Sequence, residues 1–399
     1  MRSLISVDEA THALHANLGA CTIENVALPD AVGRVLARDV HAERAHPPFD
    51  RALKDGIATR WQPVMPALLR VVGAQTAGDH GLVLPTGDSC IEIAAGAALP
   101  GGCDCVIPIE QLVRTPNGYT LSDAASPLQG QFIQATGSEC PAGTTVLDAG
   151  TRLGPPQMAL LAANGMAEVA VARLPRLAIA TTEDALLDVD SPVQPGRIRR
   201  CSDMALMAGL EAADLGHATL HALSEDPDLL GSHLSRLLQT HDVLVLSGGV
   251  SMGQRDYLPT ALEGVGVHCV FHGVAQQPGQ AMWFGIGPAG QRVFALPGNP
   301  VAALVCLVRY VRPALLAALG LSSVRGCEQV RLASALPSHA LTQFVAVRLR
   351  RGPAGDCLAQ PVAARGNGGV TALGGTDGIV ELPAGLACDT GQPLGLYRW

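Results

Sequence analysis

The sequence predicts an α/β, multidomain protein: a doubly wound, mostly parallel α/β core, preceded by helical and β-rich segments and followed by another β-rich one. Three observations carry this. Between residues 173 and 322, short apolar runs alternate with helical patterns. Two of those runs end in loops of small or rigid residues, Ser247-Gly248-Gly249-Val250-Ser251-Met252-Gly253 and Pro297-Gly298-Asn299-Pro300. Outside that window the alternation gives way to short β-like runs separated by turns.

Composition narrows the function classes. With 399 residues and 48% apolar side chains the chain can fill several cores, and with 3% aromatics those cores are made of Ala, Val and Leu. A formal net charge of −8 argues against a general nucleic-acid surface but leaves room for a small anion held by backbone N–H groups. Eleven scattered cysteines and no signal-peptide pattern read as reduced thiols in a cytoplasmic protein. Cys103-Asp104-Cys105 has no second pair at zinc spacing, so thiols rather than a metal site are expected. The longest apolar helical pattern carries Arg309, Arg312 and Pro313 and reads as a core helix, not a membrane span.

In chain order, residues 1–44 read as helical. Ser6 with Glu9 forms a capping box, Leu4-Ile5 supplies a staple, and 30–40 is a second amphipathic helix with Val32, Val35, Leu36 and Val40 on one side. His46-Pro47-Pro48-Phe49-Asp50 breaks that pattern. Short β runs follow at 68–72, 89–93 and 104–109. Asp55-Gly56 at their entry is either a turn or a carboxylate placed for chemistry. Helix returns over 144–173, begun by Pro155-Pro156. The core then reads as strand 175–182, helix 202–215, strand 217–223, helix 226–240, strand 243–247, helix 256–262, strand 293–296 and helix 301–319. Asp226, before Pro227, reads as a helix cap. Residues 327–399 alternate as a small all-β domain.

The two core loops carry the chemistry. The first has three glycines and two serines after a buried strand and before a helix, so backbone N–H groups and the helix dipole favour an anion there. It is a phosphate or oxyanion seat, or a tight strand–helix turn with no ligand. In the second, Pro297 and Pro300 fix two φ angles and Pro300 sits where a missing N–H costs nothing. In a parallel sheet both loops lie at the carboxyl ends of strands, where such folds bind ligands.

These motifs together resemble the molybdopterin molybdenumtransferase family, which includes the gephyrin E domain. The resemblance covers essentially the whole chain: Pro47-Pro48-Phe49-Asp50 with Asp55-Gly56, Gly96 to Pro100 with Asp104 and Glu110, the Ser-Gly-Gly-Val-Ser loop with Asp256-Tyr257, Pro278-Gly279, and Leu296-Pro297-Gly298-Asn299-Pro300-Val301. It implies a four-part chain: a helical linker domain from 1–44 and 138–172, an inserted β domain at 45–137, a molybdopterin-binding α/β core at 173–322 and a C-terminal β barrel at 323–399. It also implies molybdenum cofactor biosynthesis, in which molybdate is inserted into adenylylated molybdopterin with release of AMP, with Mg²⁺. Members are homodimers in which one subunit's β insertion helps complete the other's site. The acids at matching positions are Asp55, Asp184, Glu225 and Asp256, with Asp184 and Asp256 as metal ligands. The pterin nucleotide and molybdate fall to Ser247, Gly248, Gly249, Ser251, Gly253, Pro297, Gly298, Asn299, Pro300, Gln277 and Gln280.

The chain departs from the family pattern where charge is usual. A threonine becomes Ala95 and the Gly-Asp-Glu run becomes Glu183-Asp184-Ala185. Lys-Pro-Gly-Lys becomes Gln277-Pro278-Gly279-Gln280, a serine becomes Ala302, and arginines before Gly137 become Gln134, Ala135 and Thr136. Two functions are therefore carried forward: molybdenum insertion, or a paralogue that binds molybdopterin or the finished cofactor without inserting metal.

Overall fold

The computed structural model describes residues 4–19, 21–181, 186–224, 226–250, 257–321, 328–352, 355–362 and 369–399. They fall into two compact units. One gathers Met1–Ala37, Ala149–Gly154 and Val169–Trp399; the other gathers Arg38–Asp148 and Pro155–Glu168.

A six-stranded sheet runs through the larger unit. Its strands are β1 (Leu177–Thr181), β2 (Ala218–Ala222), β3 (Val243–Ser247), β4 (His268–His272), β5 (Trp283–Ile286) and β6 (Arg292–Leu296), in the spatial order β2-β1-β3-β6-β5-β4. The pairs β2-β1, β1-β3 and β3-β6 are parallel, and β5 is antiparallel to both neighbours. Every residue of β1 and β3 is buried, as expected for strands covered on both faces.

Five helices cover the sheet: α1 (Val7–Ala16), α2 (Ser202–Glu211), α3 (Pro227–Thr240), α4 (Leu258–Gly264) and α5 (Pro300–Ala318). Alternate strand residues divide between them. Leu177, Ile179, Val243 and Val245 join Leu14, Leu206, Leu210 and Ala303 on one face, whereas Ala178, Ala180, Leu244 and Leu246 join Leu230, Leu234 and Leu262 on the other. The capping box on α1 forms as its sequence requires, with Glu9 N–H donating to Ser6 Oγ at 3.1 Å and Ser6 N–H to Glu9 Oε2 at 2.7 Å. Within α5 a π turn at Leu307–Val311 precedes Pro313, which cannot supply an N–H to the preceding turn. Its Arg309 donates to Glu381 Oε2 at 2.8 Å and to Thr11 Oγ1 at 3.1 Å, joining α1, α5 and the C-terminal strands. More than half of α5 is buried, which makes it a core helix.

The C-terminal strands are β7 (Glu328–Leu332), β8 (Thr342–Arg351), β9 (Cys357–Pro361), β10 (Gly378–Leu382) and β11 (Pro393–Arg398). They close into a barrel in the order β8-β9-β7-β11-β10 and back to β8, around Val330, Leu332, Val347, Ala359, Val380 and Leu396. Closure leaves no free edge among the five strands.

In the smaller unit the strands Arg70–Gln75, Ser89–Ile93, Gly56–Thr59 and Cys105–Pro108 lie in that order. One face buries Ile57, Cys90, Cys105 and Ile107, the other Ala58, Ile91, Ile93 and Val106. Burial pushes the thiols of Cys90 and Cys103 up to about 12 and that of Cys105 to about 11, so they behave as small apolar groups.

Two helical expectations fail. Segment 30–40 holds no helix beyond a 3-10 turn at Leu28–Ala31. Gly33 takes φ +78°, and the N–H groups of Leu36 and Ala37 donate to Thr151 O and Ala170 O at 2.9 and 3.0 Å. Val35 and Leu36 are buried by these cross-chain pairings, so their apolar spacing served an extended segment rather than a helix face. Segment 144–173 is helical only over Pro155–Ala163. Thr145–Leu147 pairs with Val40–His41, and Glu168–Ala172 pairs with Ile23–Ala27. Gly165 at φ +71° and the alternating Val169 and Val171 explain the switch from helix to strand.

Candidate functional site at the carboxyl ends of the core strands

The chain leaves β1 for β2 on one side and returns to β3 on the other, so the sheet reverses order between β1 and β3. In open α/β sheets that is where ligands bind, outside the carboxyl ends. Register puts the three relevant ends side by side: Thr181 pairs with Ser247, and Ser247 with Leu296. The loops that follow are tied together. Gly248 N–H donates to Leu296 O at 3.1 Å, and Ser247 Oγ–H to Pro297 O at 3.4 Å. Gly248 and Gly249 both have positive φ, +93° and +65°, which explains the glycine pair: a side chain at either would be strained.

The second loop supplies fewer donors than its sequence suggests. Pro297 and Pro300 have no N–H. Asn299 is the N-cap of α5, its side chain accepting from Val301 N–H at 2.9 Å and Ala302 N–H at 3.2 Å. The helix dipole still points at the loop, but those two N–H groups are already used.

Sequence reasoning missed two polar groups here. Thr181 ends β1 and is 4% exposed, and among the described residues its hydroxyl has no hydrogen-bond partner. Ser202, the first residue of α2, is 6% exposed and donates to Gly298 O at 3.4 Å. A threonine closing a run of four apolar strand residues was the available signal for the first. The second needed the knowledge that α2 begins beside the 297–299 loop. Next to Ser202, Asp203 is buried with Arg200 Nε 3.0 Å away, and Arg200 also reaches Asp188 at 2.8 Å.

Gln277 and Gln280 lie in the connection from β4 to β5. Because His272 pairs with Trp283 and Trp283 with Ala295, that connection leaves the same end of the sheet as the two loops. Both side chains are exposed, and no hydrogen bond among the described residues joins them to either loop. Gln276–Gln277 instead pairs with Thr342 and Gln343 of β8. Gly279 is packed so closely that a Cβ would lie 2.5 Å from Gln276 Nε2 and 2.8 Å from Cys306 Sγ.

Asp55 belongs to the smaller unit, where its carboxylate accepts Ala95 N–H at 2.9 Å and its carbonyl accepts Ile109 N–H at 3.0 Å. A side chain on Gly56 would collide with the Ile107 carbonyl, so the Asp-Gly pair has a structural reason. Asp226 sits just before Pro227, its carbonyl accepting Leu230 N–H at 2.9 Å, as a cap position does. Asp184, Glu225, Ser251, Gly253 and Asp256 lie outside the described residues.

A cavity of about 710 Å³ lies at the opposite end of the sheet, lined by Arg173, Arg176, Asp242, Gln291, Arg292 and Leu319 among others. Burial raises the Asp242 carboxyl, but hydrogen bonds from Arg176 and Arg173 outweigh it and bring it down to about 2. Topology and loop geometry converge on the carboxyl ends, whereas this cavity lies at the other end.

Comparison with known proteins agrees over the length of the chain. The MoeA N-terminal region (domain I and II) matches residues 5–165, a probable molybdopterin binding domain matches 178–317, and the MoeA C-terminal region (domain IV) matches 329–397. A molybdopterin molybdenumtransferase of Synechocystis sp. is 32% identical over 99% of this chain and 100% of its own. One of Bacillus subtilis is 31% identical over 96% and 91%. The crystal structure of a molybdopterin biosynthesis protein from Pyrococcus horikosii superposes with a TM-score of 0.83 at 29% identity, covering 100% of both chains. With the mixed core sheet, the closed barrel and the two loops as described, the chain belongs to the MoeA family of molybdenum cofactor biosynthesis.

Proposed function

We propose that this protein performs the insertion step: it takes adenylylated molybdopterin and molybdate, cleaves the adenylate with release of AMP, and leaves molybdenum on the dithiolene. The observation that supports it is the alignment of Thr181, Ser247 and Leu296, which brings the Gly-Gly and Pro-Gly-Asn-Pro loops to one rim at the sheet's switch point. In this reading Ser247 to Gly253 and Pro297 to Pro300 hold the pterin nucleotide. Asp184, Glu225 and Asp256 serve as acids and bases. Asp55, in the smaller unit, acts from the second subunit of a homodimer. The division into a linker domain, an inserted β domain, a core and a barrel is part of the same reading, as is a cytoplasmic setting.

Mg²⁺ would suit a pyrophosphate substrate, since it takes oxygen donors together with phosphates. Among the described residues, however, no group of three or more His, Cys, Asp or Glu could hold a metal ion. Beside the rim, the carboxylate of Asp203 is already paired with Arg200. In this reading Mg²⁺ binding falls to Asp184 and Asp256.

A second reading, binding without insertion, draws on specific residues. Gln277 and Gln280 are neutral and exposed, and Ala302 and Ala95 bring no polar side chain to a dianionic substrate. Charge-assisted hydrogen bonds are about twice as strong as neutral ones, so the missing charges weaken molybdate more than pterin. Complementation separates the readings. Growth that depends on a molybdoenzyme returns in a strain lacking its own molybdenumtransferase only if this chain inserts metal. AMP release by the purified protein, with and without molybdate, checks the chemistry directly. A chain that binds adenylylated molybdopterin but restores no growth and releases no AMP belongs to the second reading.

A further inference from the structure

The rim holds one feature that folding alone does not explain. Thr181 is 4% exposed, and among the described residues its hydroxyl makes no hydrogen bond. Valine has nearly the same shape and would leave no buried donor unmet there. The four preceding residues, Leu177 to Ala180, are all apolar and buried, so nothing local calls for a hydroxyl. Strand alternation puts Thr181 on the face of Leu177 and Ile179, the face covered by α2 and α5. Ser247, beside it in register, points to the same face.

The hydroxyls of Thr181 and Ser247 thus stand at neighbouring strand ends on one face, and two hydroxyls, those of Ser247 and Ser202, reach the 297–299 loop. Those of Ser247 and Ser202 make only long bonds of 3.4 Å, to Pro297 O and Gly298 O, and that of Thr181 makes none. Two helices begin around the same loop, the ten-residue α2 at Ser202 and α5 at Pro300. Their positive ends favour an anion over a cation. Beside the start of α2, Arg200 is held by Asp188 and Asp203. Among the described residues, the hydroxyls left for a ligand are neutral.

We propose that Thr181, beside Ser247 in register, is a neutral hydroxyl seat for a tetrahedral oxyanion of the substrate, with the Thr181 O–H donating to it. The oxyanion is either the phosphate of the nucleotide or molybdate. This rests on the functional reading above and deepens it, by assigning a positioning residue that the glycine and proline loops do not supply. It also makes a directional claim. The hydroxyl is a burden to the empty protein and a benefit to the loaded one, so its removal moves stability and affinity in opposite senses.

The test compares the full-length parent with Thr181→Val and Thr181→Ser, using AMP and molybdate as separate calorimetric probes and following the melting temperature without ligand. Thr181→Val is expected to melt at the parent's temperature or higher and to bind one of the two probes roughly three- to tenfold more weakly, the worth of one neutral hydrogen bond. The probe that weakens identifies the oxyanion. Thr181→Ser, which restores the hydroxyl, is expected to bind that probe within about twofold of the parent. If Thr181→Val binds both probes as tightly as the parent, or melts several degrees lower, the hydroxyl is structural and the proposal is overturned. If the parent itself binds neither probe, the functional reading of the rim fails and takes this one with it.

Discussion

The two ends of the core sheet are opposites. At the amino ends Arg173, Arg176 and Arg292 stand around Asp242 beside a cavity of about 710 Å³. At the carboxyl ends glycines, prolines and hydroxyls line the rim, and the described residues there carry no unpaired charge. The polarity of a βα unit accounts for the contrast. Helices following parallel strands point their carboxyl ends at the amino ends of the sheet, and the last turn of α3 and the end of α5 both border the cavity. Guanidinium groups offset those carbonyls and need no ligand to explain them. Helix amino ends converge on the other rim, where an anion is favoured without cationic side chains.

Adding charge to the neutral end should have the largest effect. Gln277→Lys with Gln280→Lys places two cations in the connection that leaves the carboxyl rim. Molybdate affinity should rise by roughly ten- to a few hundredfold, since an anion gains about 1.5–3 kcal/mol from a charged donor against nearer 1 from a neutral one. Pterin nucleotide binding should change much less. Calorimetry on the double variant checks both, and an unchanged molybdate affinity would show that other groups carry the oxyanion.

Deforming the rim comes next. Gly248→Val forces a β-branched residue to φ near +93°. It should cost about 1–3 kcal/mol in urea unfolding and abolish complementation. A variant that is destabilised yet still complements would remove this loop from the site.

At the amino end, stability should change while function does not. Asp242→Asn should cost on the order of 2 kcal/mol and leave complementation intact. The pH profile follows from the same residue. The folded carboxyl lies at about 2, below its ordinary value of 3.8, and the Arg176 and Arg173 hydrogen bonds outweigh the burial that opposes them. A depressed carboxyl contributes stability that is fully present above the unfolded pKa and is lost as pH falls through the folded one. Between roughly pH 4 and pH 2 the parent should lose about 2 kcal/mol relative to Asp242→Asn, whose acid limb is flatter. Parallel acid limbs in the two proteins would contradict the assignment.

The smallest effect is expected at Arg292. Burial pushes its guanidinium down, and its Nε has no partner. Arg292→Gln should stay within about 0.5 kcal/mol of the parent and keep complementation. Loss of complementation here would make the amino-end cavity functional and reverse the comparison.

Much of this was legible in the residues. The apolar runs before Ser247 and Pro297 became β3 and β6, and Ser6 with Glu9 became the α1 cap. Pro300 opened α5, with Asn299 capping it. What misled was periodicity without partners. Val32, Val35, Leu36 and Val40 have helical spacing, yet Val35 and Leu36 are buried by bridges to Arg152 and Val171, more than a hundred residues away. The 297–300 loop was expected to help hold the pterin nucleotide, but Asn299 fills the helix end that its two prolines leave.

By itself, the sequence determined the local elements and their chemistry: which runs are strands, where glycine must sit at positive φ, where proline starts a helix, and which positions lack charge. Those depend on neighbours within a few residues, which the chain order contains. Tertiary structure alone decided which strand ends share a rim, that Ser202 faces Gly298, and that the Thr181 hydroxyl is buried without a partner. Register and helix docking fix those facts through contacts between residues tens to hundreds of positions apart, and no local pattern encodes them.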